Sequence, residues 1–184
     1  LRRQGPLAMA QAHPPAPAKL IVGLLAGREA WLEAGRAALV ERFGPADIES
    51  EVMAFDFTDY YRREMGEGLL RQFLAFERLI APDDLAAIKL ATNAMEADLA
   101  SRFADVARPV NLDPGYVTTA KLVLASAKDF SHRIYLSHGI YAEMTLRVVR
   151  GRWESAPWTF PDYASGRYDV FLTAARERLK AQSR

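Results

Sequence analysis

Apolar and polar residues change their spacing several times along the chain, and each change predicts a new element. The stretch KLIVGLLAG (19–27) is an unbroken apolar run ending in glycine, which is typical of a buried strand. Residues 28–44 then place apolar side chains near helical spacing, and the helix is predicted to stop at Gly44 and Pro45. Residues 47–61 alternate apolar and polar positions, which predicts a second strand.

The middle of the chain continues this order. Residues 70–80 fit either a strand or a helix, and the aromatic pair Phe73 and Phe76 favours a strand. Residues 82–103 carry a helical apolar stripe behind a proline and two acidic residues, which predicts the clearest helix of the chain. Residues 108–116 read as a short strand. The resulting order, β-α-β-β-α-β, is that of a ferredoxin-like fold with two helices on an antiparallel sheet.

Four further elements are predicted beyond this core. Residues 118–128 fit a helix that begins at Thr118, and 132–149 form a β-hairpin around its turn. Residues 151–153 add a third strand, and 165–182 form a closing helix. We therefore predict one α+β domain over 18–184, with a ferredoxin-like core, an added antiparallel hairpin and a C-terminal helix.

Composition narrows the class of protein without naming a function. The 184 residues carry 24 basic and 23 acidic side chains, so the balance gives no strong attraction to nucleic acid or to an anionic membrane. Cysteine is absent, which excludes disulfides and thiolate catalysis and suits a reducing compartment. No apolar run approaches the roughly 20 residues that span a bilayer. We expect a cytoplasmic protein whose proline-rich residues 1–17 form a flexible leader.

The hairpin carries the densest set of candidate site residues. Alternation places Arg133, Tyr135, Tyr141 and Glu143 on one face, and a turn at His138 sets Arg133 opposite Glu143 and Tyr135 opposite Tyr141. The other face is predicted to point to the core, and it comprises Ile134, Leu136, Ile140, Ala142, Met144, Leu146 and Val148. The polar face has two interpretations: a solvated surface with a salt bridge, or a ligand platform in which arginine binds a phosphate or carboxylate.

Residues just before the hairpin add two alternatives for catalysis. Asp129 stands three residues before His132, so it could orient the imidazole and favour its cationic form for general acid–base chemistry. The other interpretation is a loop cap, with His132 packed at the start of the strand. Lys128 lies beside this pair in the sequence and is a candidate contact for an anion.

Three other groups of polar residues lie outside the hairpin. Asp113 and Tyr116 flank a Pro-Gly turn at the end of a predicted strand, where functional side chains often project. Asp56 and Asp59 could hold a hard cation, but acidic loops are common without one, and no HExxH spacing assigns a metal ligand. The set Lys89, Thr92, Asn93 and Glu96 is predicted to form an outer helix face.

Several specific motifs are absent from the sequence. It has no GxxxxGK[ST] phosphate loop, no GxGxxG after the first strand and no GxSxG nucleophile elbow. It also has no classical nucleic-acid-binding motif. Standard P-loop nucleotide binding and α/β-hydrolase chemistry therefore gain no support.

The residues of four segments together resemble a known family. KLIVGLLA, FDFTDYYRREMG, NLDPGYVTTAKLVLASAKDFSHRIYLSHGIYAEMTL and WTFPDY together resemble the bacterial domain-of-unknown-function family numbered four-four-one-six. The resemblance covers nearly all of 19–180, and the long central segment is specific. It brings no established catalytic residues to this chain, so it implies an identity rather than an activity.

Three functions remain as expectations. The first is a cytoplasmic module that binds an anionic small molecule, such as a nucleotide, with no cofactor indicated. Its site residues are Asp113, Tyr116, Lys128, Arg133, Tyr135, Tyr141 and Glu143. The second is a metal- or His-dependent hydrolase or transferase that uses His132 and Asp129. The third is a protein-interaction module with an exposed aromatic patch at Trp153, Trp158, Phe160 and Tyr163.

Overall fold

A computed structural model describes residues 11–57, 62–103 and 106–183, with only the backbone described for Arg62 and Arg63. Within these ranges nine strands form one antiparallel sheet. They are β1 (Ala18–Ala26), β2 (Ala46–Glu49), β3 (Met53–Ala54), β4 (Leu70–Ile80), β5 (Val110–Val117), β6 (Lys121–Ser126), β7 (Ile134–Ser137), β8 (Ile140–Val149) and β9 (Arg152–Ser155). The helices are α1 (Glu29–Phe43), α2 (Arg62–Met65), α3 (Leu85–Arg102), α4 (Pro161–Ala164) and α5 (Asp169–Gln182), and a 3₁₀ turn (Pro82–Asp84) precedes α3.

The chain combines one antiparallel sheet with helices, which confirms the predicted α+β class. Its strand order is β2-β4-β1-β5-β6-β8-β7, with β3 paired to β4 and β9 paired to β8. The predicted strand at 70–80, the long helix, the hairpin and the closing helix are all present. None of the described helices combines the length and apolar character needed to cross a membrane.

Both faces of the central sheet are covered, because β1 is buried at every position. Its even residues pack with α1 and α3, and its odd residues Ile21 and Leu25 face the opposite side. There Ile21 and Phe73 belong to a second apolar cluster, to which α5 contributes Phe171 and Leu172. A continuous apolar run such as KLIVGLLA is what a strand buried on both faces requires.

The predicted helix at 118–128 is wrong, because this segment forms β6. Leu122 and Leu124 pack in the α5-side cluster, whereas Val123 and Ala125 pack against the start of α3. A short apolar run buried on both faces cannot be told from a buried helix by periodicity alone. Thr118 shapes the preceding turn instead of capping a helix, since its Oγ1 accepts the N–H groups of Ala120 and Lys121, each at 3.1 Å.

The hairpin register is as predicted at Tyr135 and Tyr141, but the turn and the apolar face differ from the prediction. A register shift after Tyr135 pairs Ser137 with Ile140, so the turn consists of His138 and Gly139, at φ 53° and 76°, and is not centred on His138. Ile134 is 72% exposed because β7 is the last strand of the sheet order. Glu143 is buried, whereas alternation had placed it on a polar outer face.

The sheet opens between β5 and β6. These strands pair only over Gly115–Val117 and Leu122–Leu124, although β5 pairs with β1 along its whole length. A Cβ at Gly115 would lie 2.4 Å from the carbonyl oxygen of Val123, so glycine permits the close approach of β6 at this point. From there the strands diverge, because the earlier part of β5 pairs with β1 alone and the end of β6 pairs with β8. The fold therefore leaves a gap inside the sheet.

Candidate functional site

A cavity of about 590 Å³ fills the gap between β5 and β6. That volume lies within the range of small-molecule sites, roughly 300–1,000 Å³. Its wall combines buried charged groups with aromatic rings. The polar side chains on the wall are Arg71, Lys89, Asn93, Arg108, Asn111, Asp113, Ser126, Lys128, Arg133, Glu143, Asp162 and Tyr163.

Arg71 occupies the inner wall of this cavity. It projects from β4 and is only 3% exposed, with Nη1 3.4 Å from Asp113 Oδ2 and Nη2 3.4 Å from Asp162 Oδ2. Burial lowers the pKa of Arg71, but the net shift is upward, and the carboxylates of Asp113 and Asp162 are among the groups that raise it. Gly23 on β1 leaves room for the guanidinium, since a Cβ there would lie 3.1 Å from Nη1. Arg71 is therefore a cation that contacts two carboxylates, each at 3.4 Å.

Asp113 joins Arg71 to α3. Asn111 Nδ2 donates to Asp113 Oδ2 at 2.6 Å, and Lys89 Nζ lies 3.9 Å from Asp113 Oδ1. Burial alone would raise the pKa of this carboxyl, but the cations of Lys89 and Arg71 together with the Asn111 bond lower it below the ordinary value. Asp113 is therefore an anion in the folded protein at neutral pH.

Asp162 and Tyr163 complete the inner cluster from α4. Tyr168 donates its hydroxyl to Asp162 Oδ2 at 3.2 Å. Burial raises the pKa of Asp162 more than the cation of Arg71 lowers it. Burial also raises the pKa of Tyr163 well above its ordinary value, so its phenol is neutral. The Tyr163 hydroxyl and Arg71 Nε are both buried, and neither has a hydrogen-bond partner within the described part of the chain.

Side chains of α3 replace the missing strand along the open edge of β5. Leu112 N donates to Glu96 Oε1 at 2.7 Å, and Lys89 Nζ donates to the carbonyl of Leu112 at 2.9 Å. Arg108 donates to Glu96 Oε2 at 2.7 Å and also bonds Asn111 Oδ1. Burial raises the pKa of Glu96 despite these neighbouring cations. The backbone N–H and carbonyl of Leu112 are thus satisfied without a neighbouring strand, which lets the gap persist at this point.

A second charged cluster, the hairpin cluster, lies on the other side of the cavity. Glu143 Oε2 accepts Arg133 Nε at 2.8 Å and lies 3.0 Å from His132 Nε2. Arg133 Nη1 donates to Ser126 Oγ at 2.8 Å and to the carbonyl of Lys128 at 2.9 Å. These contacts are short and numerous, so the cluster fixes the base of the hairpin to the end of β6.

The family model for a domain of unknown function (DUF4416) matches residues 16–179. The chain belongs to the DUF4416 family. The match takes in every residue of the cavity wall, and it confirms the resemblance to this family. Comparisons with curated proteins and with solved structures give no match. The family description assigns no activity, so the geometry carries the functional argument.

In this DUF4416 chain, the cavity brings together part of the predicted site. Asp113, Lys128, Arg133 and Glu143 line its wall, whereas Tyr116, Tyr135, Tyr141, Asp129 and His132 are outside the set of described wall residues. Tyr135 and Tyr141 contact each other with ring centroids 5.3 Å apart. Tyr116 packs beside Val123 in a small apolar cluster, and burial raises its pKa.

The predicted orientation of His132 by Asp129 is not what the structure shows. The imidazole bonds Glu143, and it stacks on Trp158 with centroids 5.4 Å apart and planes 9° apart. Asp129 is exposed. The loop between β6 and β7 directs His132 back towards β8, which sequence spacing alone does not indicate.

The residues missed by sequence reasoning are mostly the buried charges of the inner cluster. Lys89 and Thr92, predicted on an outer helix face, are buried. Arg71 and Asp162 come from segments that the sequence did not connect with β5. A detectable signal existed, because Arg71 and Lys89 interrupt otherwise apolar stretches, and such charges are rarely buried without a partner.

The described residues give no support to a cation site at Asp56 and Asp59. Asp56 is exposed and pairs with Arg167 at 3.1 Å. Asp59 lies outside the described residues. Within residues 11–57, 62–103 and 106–183, no group of three His, Cys, Asp or Glu side chains is placed to hold a metal ion.

Proposed function

We propose that this DUF4416 domain binds an anionic small molecule, such as a nucleotide, in the cavity between β5 and β6. The observation that carries the proposal is an excess of cations on the described wall. Five basic side chains face three carboxylates there. The basic residues are Arg71, Lys89, Arg108, Lys128 and Arg133, and the acidic residues are Asp113, Glu143 and Asp162. A low-dielectric wall strengthens this field, because it screens charges less than water does.

The inner cations keep capacity for a ligand. Lys89 Nζ carries three N–H donors, and the structure gives it one close acceptor, the carbonyl of Leu112 at 2.9 Å. Arg71 contacts its two carboxylates at 3.4 Å, which is long for a charge-assisted hydrogen bond. A phosphate or carboxylate in the cavity could therefore accept hydrogen bonds from N–H groups of Lys89 and Arg71 that have no short acceptor within the described residues.

The cost of burying these charges supports a functional reason for them. A buried ion pair often stabilises a fold no more than apolar residues of the same volume, because desolvation opposes the attraction. Here Arg71, Asp113 and Asp162 share one buried cluster beside a cavity, and the pKa values of the two carboxyls are moved in opposite directions. Perturbed groups gathered at a cleft are typical of functional sites.

The rival proposals have weaker support. A His-dependent hydrolase or transferase needs His132 to face the substrate, but its Nε2 is directed to Glu143 and its ring is stacked on Trp158. An interaction module needs an exposed aromatic patch. Of the four residues proposed for it, Tyr163 is buried and Trp153 packs against the α5-side core.

We also infer a ferredoxin-like core. The strand order β2-β4-β1-β5, all antiparallel, with α1 and α3 as the crossovers, supports this assignment. A cytoplasmic location stays a proposal, supported by the absence of cysteine. Fractionation of cells that express the full chain tests it, and recovery in the membrane or the external medium would contradict it.

A thermal-shift panel tests the proposed binding. The full chain is heated with inorganic phosphate, pyrophosphate, nucleoside phosphates and small carboxylates. A ligand at about 100 times its Kd should stabilise the fold by about 2.7 kcal/mol. Lys89→Met should remove the response, whereas Lys121→Met should retain it, because Lys121 is an exposed lysine of β6 outside the described wall. An unchanged melting temperature with every anion would contradict the proposal.

A further inference from the structure

The cavity has a buried inner end, where Arg71 and Lys89 lie with the ring of Phe55, and an exposed outer end with Lys128, Phe130 and Phe160. Phe130 is 58% exposed and Phe160 is 43% exposed, yet both line the same cavity. They come from different segments, the connection between β6 and β7 and the connection between β9 and α4. Two exposed rings that converge on one opening are not explained by packing in the core.

Phe130 is held in place by other planar groups. The guanidinium of Arg133 lies 5.1 Å from its ring centroid, and the imidazole of His132 lies 5.9 Å from it. His132 in turn stacks on Trp158, which donates its indole N–H to the carbonyl of Met144. The ring of Phe130 is therefore supported by His132 and Trp158, and Trp158 is bonded to β8. This support fixes an exposed ring in a position where a ligand can stack on it.

We propose that the ligand carries a planar aromatic ring that Phe130 and Phe160 contact at the cavity mouth, while its anionic group points inward to Arg71 and Lys89. The class that fits is a phosphate-bearing heterocycle, such as a nucleoside monophosphate. This inference rests on the proposed anion binding and adds the second half of the ligand and its direction. A flat ring gains dispersion and quadrupole contacts on phenylalanine that a flexible alkyl chain does not match.

Calorimetric titration of the full chain tests the inference with compounds that separate the two halves. The probes are ribose 5-phosphate, adenosine, the four common nucleoside 5′-monophosphates, flavin mononucleotide and decanoate. At least one phosphate-bearing heterocycle should bind about tenfold or more tightly than ribose 5-phosphate, because stacking on an aromatic side chain contributes about that much.

Substitutions at Phe130 and Phe160 test where the ring of the ligand binds. Phe130→Ala and Phe160→Ala should each remove most of the advantage of the heterocycle and leave the affinity for ribose 5-phosphate unchanged. Tyr135→Ala is the matched control, because Tyr135 is also 58% exposed but lies outside the described wall. Phe160→Leu keeps apolar bulk and should still lose affinity for the ring.

The outcomes separate this inference from the proposed function. If ribose 5-phosphate binds as tightly as every heterocycle, the ring at the mouth is wrong and anion binding stands. If decanoate alone binds, or if Phe160→Leu binds the heterocycle like the unaltered chain, an aromatic partner is wrong. If no compound that carries an anionic group binds, both proposals fail.

Discussion

Two charged clusters border the same cavity, and they differ in how completely their hydrogen bonds are made. In the hairpin cluster, Glu143 receives Arg133 at 2.8 Å, and Arg133 also bonds Ser126 and the carbonyl of Lys128. In the inner cluster, Arg71 reaches its two carboxylates only at 3.4 Å, and its Nε has no partner within the described residues. The difference supports the proposal that the hairpin cluster stabilises the fold and that the inner cluster binds the ligand.

The largest effect is expected where the bonds are complete. Glu143→Ala should lower the free energy of unfolding by about 3–5 kcal/mol, because it leaves the buried guanidinium of Arg133 without a counter-charge. Urea denaturation measures the loss. Glu154→Ala on the neighbouring strand is the control, since its exposed pair with Arg147 should contribute about 0.5 kcal/mol or less. An equal loss of unfolding free energy in Glu143→Ala and Glu154→Ala would contradict the structural role of the hairpin cluster.

A smaller effect is expected from crowding the inner cluster. Gly23→Ala places a methyl group 2.9 Å from Phe73 Cε1 and 3.1 Å from Arg71 Nη1. The ring and the guanidinium must both move, so the free energy of unfolding should fall by about 1–3 kcal/mol. Ligand-induced stabilisation in the thermal-shift panel should fall too. A variant that loses stability but keeps its full ligand response would show that the position of Arg71 does not matter for binding.

The smallest effect is a pair of opposite pH dependences inside the inner cluster. Asp113 has a pKa below its ordinary 3.8, so its contribution to stability is present above that pH and is lost as pH falls through the lower folded value. Asp162 has a raised pKa, so the folded state holds its proton longer and stability falls as pH rises from about 4 through the folded value.

Two amide variants isolate these dependences. Melting temperatures from pH 3 to pH 8 are compared for the unaltered chain, Asp113→Asn and Asp162→Asn. The difference between the unaltered chain and Asp113→Asn should shrink as pH falls below about 4, by up to roughly 1 kcal/mol per unit of pKa change. Relative to Asp162→Asn, the unaltered chain should lose stability as pH rises above about 4. Parallel curves for all three proteins would contradict the assigned charges.

The same contrast explains what the sequence could reveal. The hairpin cluster is local in sequence, and alternation correctly predicts the Tyr135–Tyr141 pair and the Arg133–Glu143 contact, although not the register shift beside the turn. The inner cluster is assembled from β4, β5, α3 and α4, so Arg71 lies 91 positions from Asp162. Hydrophobic periodicity describes one element at a time and carries no information about which distant elements meet.

The errors within the fold have a related cause. Segment 118–128 was predicted as a helix because β6 is apolar on both faces and loses the alternation that marks a strand. Ile134 was predicted in the core because alternation gives a face but not a neighbour, and β7 is the terminal strand of the sheet. In both cases the neighbouring layer decided the outcome, and that layer comes from elsewhere in the chain.

One measurement tests the central contrast most directly. The tightest ligand of the panel is titrated calorimetrically into Arg71→Met and Arg133→Met, with urea denaturation of each variant as a check on folding. We predict that Arg71→Met loses about a hundredfold or more in affinity. Arg133→Met should lose at most about tenfold in affinity, through its contact with Phe130, and should lose more free energy of unfolding than Arg71→Met. Binding that survives in Arg71→Met and disappears in a folded Arg133→Met would contradict the account.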